Sequence, residues 1–237
     1  MLIELFGVGA TLVCAYACFR REDEPSPTTS ELAQPRSSAA ARGVLGEALV
    51  STELRRCLTR LCDNNYQIFD SLILIHRPGA AFPTAEIDHL VVTPFGIFVI
   101  ETKHWSGVVT RGDRDDTLRL AMPDGQCFVR TSPLKQNAAK VSFVRSLLPP
   151  RLWTVEGLGV FSNEAARIDP ALPSALLECG ELYRHLRTRQ QQFGLRGVGR
   201  LPVRVISEAI LKHADTRPEA GIEHRTRVQA NSRELES

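Results

Sequence analysis

Three charged residues, Asp88, Glu101 and Lys103, stand in a stretch that otherwise reads as buried strand, EIDHLVVTPFGIFVIETKHW from Glu86 to Trp105. Two carboxylates and a nearby lysine are residue types that can hold a divalent cation and act on a water bound to it. Hard carboxylate oxygens hold Mg2+ or Mn2+, and an amine can orient or help deprotonate a water. Like charges facing each other across a sheet destabilise it, more so when buried, and a bound divalent cation offsets that repulsion directly. The same pattern also fits a solvated sheet edge, with Glu86 opposite Lys103 as an ordinary cross-strand ion pair.

The element that must position these groups is a β-hairpin. Val, Ile, Phe and Thr dominate two runs separated by TPFG, a Pro/Gly turn signal. With Thr93 to Gly96 as the loop, Val92 pairs with Ile97, Leu90 with Val99, Asp88 with Glu101 and Glu86 with Lys103. All eight share one face by the period-two alternation of strands. That face is apolar at the turn and ionic at the open end. Thr102 points the other way. His89 and His104 fall on the opposite face or past the strand end, and Trp105 reads as packing, so none joins the site.

Upstream, GVLGEALVSTELRRCLTRL from Gly43 to Leu61 has helical spacing, and Glu47 falls on the inward stripe of Val50, Leu54, Leu58 and Leu61. Glu47 either favours the helix macrodipole or points into the interior that holds the hairpin carboxylates. Downstream come short strand candidates near Gly107 to Arg111, Thr117 to Ala121 and Gln126 to Arg130. A helix follows, with Ser132 as N-cap and Pro133 at its first position. Gln136 and Lys140 leave that helix on one face near its N-terminal end, where phosphate or water contacts are suited, though an exposed amphipathic helix has the same look. WTVEGLGVFSN from Trp153 reads as a buried strand and SALLECGELYRHLRTR from Ser174 as a helix. LPVRVIS from Leu201 reads as a final strand or a lead into a short helix. The order implies an α/β sandwich with a mixed central sheet rather than a doubly wound parallel fold.

The 237 residues, 43% hydrophobic and 24% charged, suit one globular domain with appendages. The net charge of +2 is unevenly spread: Lys103 to Arg151 holds nine Lys/Arg against four Asp, and Leu182 to Ser207 holds six Arg and no acid. Either stretch could contact phosphates or be a solvated basic face. The six cysteines include no CxxC pair, which argues against a structural zinc site and fits a reducing compartment. The run from Leu5 to Phe19 is apolar with Arg20 and Arg21 behind it, and residues 1–20 are expected to be a single N-terminal transmembrane anchor with its C-terminal side in the cytoplasm. Residues 21–41, rich in Pro, Ser and Ala, are expected to be a flexible linker. Residues 42–163 form the core, 164–210 a helical and basic extension, and 211–237 a disordered tail.

GVLGE (43–47), TAEIDHLVVTPFGIFVIETKHWSGVV (84–109) and SPLKQNAAKV (132–141) together resemble the nuclease-related domain (NERD) family, a branch of the PD-(D/E)xK superfamily. The resemblance runs from about Gly43 to Asn163 and implies a restriction-endonuclease-like α/β/α sandwich. It implies Asp88 and Glu101 as metal ligands for Mg2+ or Mn2+, Lys103 as the catalytic lysine, Glu47 as the helix carboxylate completing the acidic site, and Gln136 as the polar residue of the following helix. Ile87 stands where the superfamily has its proline. The expected function is a membrane-anchored, metal-dependent nuclease acting on nucleic acid, DNA in preference to RNA, in processing, repair or defence. Alternatives are a non-catalytic nucleic-acid-binding scaffold, or a tethered adaptor working through its C-terminal region. No GxxxxGK[ST] motif occurs, so ATP-driven unwinding would come from a helicase or similar partner.

Overall fold

The computed structural model describes residues 38–80, 83–149, 154–197 and 199–234. The expected anchor and nearly all of the expected linker lie outside them. Helix α1, Ser38–Cys62, starts inside the expected linker. It buries Val50, Leu54, Cys57 and Leu58, spaced at three and four residues as an amphipathic helix requires. It ends where Asp63 takes a left-handed backbone at φ 54°.

Strand β1, Gln67–Ile75, follows and was not anticipated from the sequence. It pairs antiparallel with β2, Thr84–Thr93, which pairs antiparallel with β3, Gly96–Lys103. The β2–β3 ladder contains the expected pairs Leu90 with Val99 and Val92 with Ile97, and its last pair at the open end is His89 with Ile100. The turn is closed by Thr93, whose hydroxyl donates to the Gly96 carbonyl at 2.8 Å and accepts from the Phe95 N–H at 3.2 Å.

A meander of β4, Gly107–Arg111, β5, Thr117–Ala121, and β6, Cys127–Thr131, leads into α2, Pro133–Ser146. Strand β7, Val155–Phe161, then returns parallel to β3. Next are β8, Ala166–Ile168, and β9, Leu176–Glu178, then a single 3-10 turn, Cys179–Glu181, and α3, Leu182–Leu195. The helix expected from Ser174 therefore begins later. Leu176 and Leu177 are drawn into strand pairing with Gly159 and Val160. After α3 come α4, Val203–Leu211, β10, Ala214–Asp215, and α5, Ala220–Glu234.

The strands form two mixed sheets, one in the order β10-β1-β2-β3-β7-β9 and the other β6-β5-β4-β8. Helices cover both faces of the larger one. Ser51 of α1 bonds Asp70, which bonds His89, the ladder partner of Ile100. Lys140 of α2 reaches Glu101, the next residue along β3 and so on the other face. This arrangement is compatible with an α/β sandwich. Its main core joins Leu90, Val92, Ile97, Val99 and Leu158 of the sheet to Val50 and Leu54 of α1 and Val144 of α2, all fully buried. Each such side chain contributes roughly 1.5–3 kcal/mol.

Two glycines let α2 approach β7 closely. A Cβ on Gly159 would stand 2.7 Å from Pro133, and one on Gly157 would stand 2.9 Å from Val141. At that depth buried Asn137 donates to the carbonyls of Val99 at 3.0 Å and Leu158 at 3.1 Å, tying α2 to both parallel strands.

The disordered tail expected from 211 onward is corrected by the structure. Strand β10 pairs with β1, and α5 packs on β1 and β2 with Ala220 buried. The helix is mostly polar because its docking runs through side-chain hydrogen bonds and ion pairs, which apolar periodicity does not report. No helix among the described residues is long and apolar enough to cross a membrane.

Candidate active site

The ladder between β2 and β3 stops just before the charged residues, and side chains take over from backbone. The Thr102 N–H donates at 2.7 Å to Asp88 Oδ2. The expected pairing of Asp88 with Glu101 and Glu86 with Lys103 is therefore not continued as ladder. On β1, Ser71 opposite Asp88 takes φ 50°, a conformation β strands do not use, and pairing skips from Asp70 with His89 to Leu72 with Ile87. Both strands flanking β2 thus depart from regular pairing at the level of Asp88.

Into this opening come two carboxylates and two ammonium groups. Lys103 Nζ donates to Glu101 Oε1 and Lys140 Nζ to Glu101 Oε2, each at 2.8 Å. The three side chains are 10–18% exposed. Burial alone would raise the Glu101 carboxyl, but Lys140 and Lys103 outweigh it and hold the group below its ordinary value. Asp88 goes the other way, because burial and then the Glu101 charge raise it against the opposing pull of Lys140, the Thr102 N–H and Lys103. Neighbouring carboxylates are thus pushed apart in proton affinity, a pattern concentrated at functional sites.

Glu47 approaches from α1. One residue earlier, a Cβ on Gly46 would stand 2.7 Å from Ser162 Oγ and 3.0 Å from His104 Cβ, so this turn of α1 rests on the exits of β3 and β7. Burial, then the charges of Asp88 and Glu86, push the Glu47 carboxyl up to about 7. It responds to the same charge cluster without a direct bond to it. Gln136 is not brought in. It is exposed on α2, one turn before Lys140, and its side chain bonds none of these residues. Glu86 pairs with Arg225 of α5 at 3.3 Å rather than with Lys103.

Sequence reasoning placed Lys140 on the right helix face without seeing that it holds Glu101. It also set His89 aside. His89 does lie on the face away from Glu101, but α1 covers that face. Its Nδ1 sits 2.7 Å from Asp70 Oδ1, while Asp70 Oδ2 accepts from Ser51 at 2.9 Å and Arg55 at 2.7 Å. Only the register of β1, absent from the sequence reading, could have exposed that pairing. The Arg-rich stretch is largely engaged within the fold, with Arg189 on Glu156, Arg184 on Glu181, Arg187 on the Tyr183 hydroxyl and Arg204 beside Glu208.

The donor set fits a small hard cation that keeps most of its waters, held by one or two carboxylates. It is not a complete protein cage, since no group of three or more His, Cys, Asp or Glu is arranged to hold a metal among the described residues. Only one Asp88 oxygen accepts the Thr102 N–H, and a Glu101 oxygen becomes available when either lysine turns aside.

No curated protein and no solved structure gives a significant match to the chain. The family model described as nuclease-related domain matches residues 42–162, from the N-terminal part of α1 to the residue after β7. That match spans half of the chain and every residue of the carboxylate–lysine cluster, so the protein belongs to the nuclease-related domain family, of the general PD-(D/E)xK kind.

Proposed function

We propose that this protein is a divalent-metal-dependent nuclease with a restriction-endonuclease-like fold, hydrolysing phosphodiester bonds of nucleic acid, DNA in preference to RNA. The observation that carries the proposal is Glu101, buried beside Asp88 and clasped by two lysines from different elements. A binding module has little use for paired acids that repel phosphate, and holding them costs desolvation.

Asp88 and Glu101 would hold Mg2+ or Mn2+, which when bound supplies Lewis acidity at the phosphate and at the attacking water. Lys103 orients that water and stabilises charge developing on the phosphate. Lys140 offers a second ammonium from the opposite side of Glu101. Glu47, whose carboxyl burial and the charges of Asp88 and Glu86 push up to about 7, would complete the acidic site and help hold the cation directly or through water. Gln136, exposed on α2 one turn before Lys140, would hydrogen-bond a flanking phosphate rather than join the carboxylates. The apolar segment 1–20 would tether the enzyme to a membrane with the nuclease facing the cytoplasm, and a helicase or other ATP-driven partner would supply unwinding.

One observation favours the second reading, a non-catalytic binding protein: both Glu101 oxygens are taken by lysines. The test is cleavage of single- and double-stranded DNA and RNA by the full chain with Mg2+, Mn2+ or EDTA, beside Asp88→Ala and Lys103→Ala. Metal-dependent cutting lost in both variants establishes the enzyme. Nucleic-acid binding without cutting by the wild type moves the assignment to the scaffold.

A further inference from the structure

Helix α5 lies outside the segment matched by the family model, yet it lays cations along the strand that carries Asp88. Thr84, Glu86 and Asp88 alternate onto one face of β2, with about 7 Å between successive members. Each of the first two is met by α5. Thr84 Oγ1 lies 2.9 Å from His224 Nδ1 and accepts from Arg227 Nη1 at 3.1 Å. Arg225 Nη1 lies 3.3 Å from Glu86 Oε1.

These arginines are not consumed by the fold. Arg225 keeps 53% of its side chain exposed, and its pair with Glu86 is long. Arg227 has a hydroxyl but no carboxylate partner among the described residues. Arg217, nearby in sequence, differs in being held by both Asp215 and Glu223. Electrostatic reach joins the pair to the site. Arg225 acts on Glu47, and the His224 imidazole is held below its ordinary value by burial and then by Arg227, Arg225 and Lys140. Cations therefore stand on both sides of Asp88, Lys103 and Lys140 around Glu101 and Arg225 and Arg227 along the start of β2, with Glu86 between them.

We propose that Arg225 and Arg227 form a phosphate subsite for the sugar–phosphate backbone of a nucleic-acid substrate, flanking the position where a bond would be cut. The proposal rests on the nucleic-acid reading above and assigns α5 to substrate binding. Arg225 meets a phosphate by exchanging its long pairing with Glu86. Arg227 meets one while its hydrogen bond to Thr84 fixes its direction.

The test is fluorescence anisotropy of a labelled oligonucleotide with the full chain in EDTA over a range of NaCl, for wild type, Arg225→Gln, Arg227→Gln, the double variant and Arg60→Gln. Arg60 is thirteen residues along α1 from Glu47, about 20 Å away. Each arginine that no longer neutralises a phosphate lowers the slope of log K against log salt by roughly 0.7–0.9. The double variant should lower the slope by roughly 1.5, Arg60→Gln should keep it, and Arg→Lys at 225 and 227 should restore most of it. Thermal melting by circular dichroism checks that folding is retained. An unchanged slope in the double variant overturns the subsite even if the wild type cuts nucleic acid. A reduced slope in a protein that cuts nothing supports the subsite while removing the enzyme. No binding by the wild type overturns the subsite and leaves the enzyme to the cleavage test with Mg2+ or Mn2+.

Discussion

The two ends of the β2–β3 hairpin are built from one alternating pattern and behave as opposites. At the turn, Leu90, Val92, Ile97 and Val99 are fully buried and the backbone ladder is complete. At the open end the ladder stops, Asp88 accepts the Thr102 N–H in place of a strand, and Glu101 is held by two lysines. The turn end buries side chains that need no partner. The open end holds groups whose desolvation is offset only by one another, and that arrangement is open to a ligand that offers a better offset. The fold's anchor and its candidate site are thereby separated along a single hairpin. The cleft of about 450 Å³ lined by Pro94, Phe95, Phe193 and Arg200 lies at the turn end, away from the carboxylates.

Substitutions at the two ends should separate cleanly. Glu101→Gln or Asp88→Asn should lower metal-dependent cleavage by about a thousandfold or more, corresponding to several kcal/mol of metal-assisted stabilisation. Their circular-dichroism spectra should stay native, although Glu101→Gln, which leaves Lys103 and Lys140 without a carboxylate, should melt lower. Leu90→Ala should cost about 2–5 kcal/mol in urea denaturation, with the remaining folded protein keeping its specific activity. Equal effects of Leu90→Ala on folding and on turnover per folded molecule would erase the contrast. Lys103→Ala should slow cleavage by about a hundredfold. Lys140→Met should slow it by about tenfold, measured as kcat at saturating metal, because Lys103 still holds Glu101.

The smallest effect is expected from pH. Glu47, with its carboxyl near 7, is protonated below that value and charged above it. A divalent cation at Asp88 would offset part of the charge that raises this carboxyl, so the effect belongs to the metal-free protein and reads out in its stability. The folded carboxyl lies above its unfolded value of 4.5, so the folded state binds the extra proton between the two. Stability therefore falls as pH rises across that window, and thermal melts of wild type against Glu47→Gln measure the difference.

The hairpin was legible because Val, Ile and Phe alternate around a Pro/Gly turn, and because charges in such a frame stand out. Helix α2 was legible from Ser132 and Pro133, and Lys140 followed from helical spacing. Strand β1 was not, although Ile73, Leu74 and Ile75 form an apolar run, because Asp70 and Ser71 interrupt it. Those two residues carry the His89 pairing and the left-handed backbone beside Asp88. Helix α5 was hidden for a related reason. It docks through hydrogen bonds and ion pairs to residues about 140 positions away, such as Arg227 to Thr84 and Arg225 to Glu86. Periodicity reports what a segment buries, not which distant polar group it meets.

The glycines beneath α2 change how a mutational scan of this protein must be read. With Pro133 2.7 Å from where a Gly159 Cβ would stand, alanine there lifts the start of the helix and carries Lys140 with it. Asn137, bonded to two strands, sets the same height. Alanine at either position should score as impaired in a screen for the proposed cleavage. Neither side chain need ever approach a phosphate, and a map of intolerant positions will therefore draw the proposed catalytic centre larger than it is.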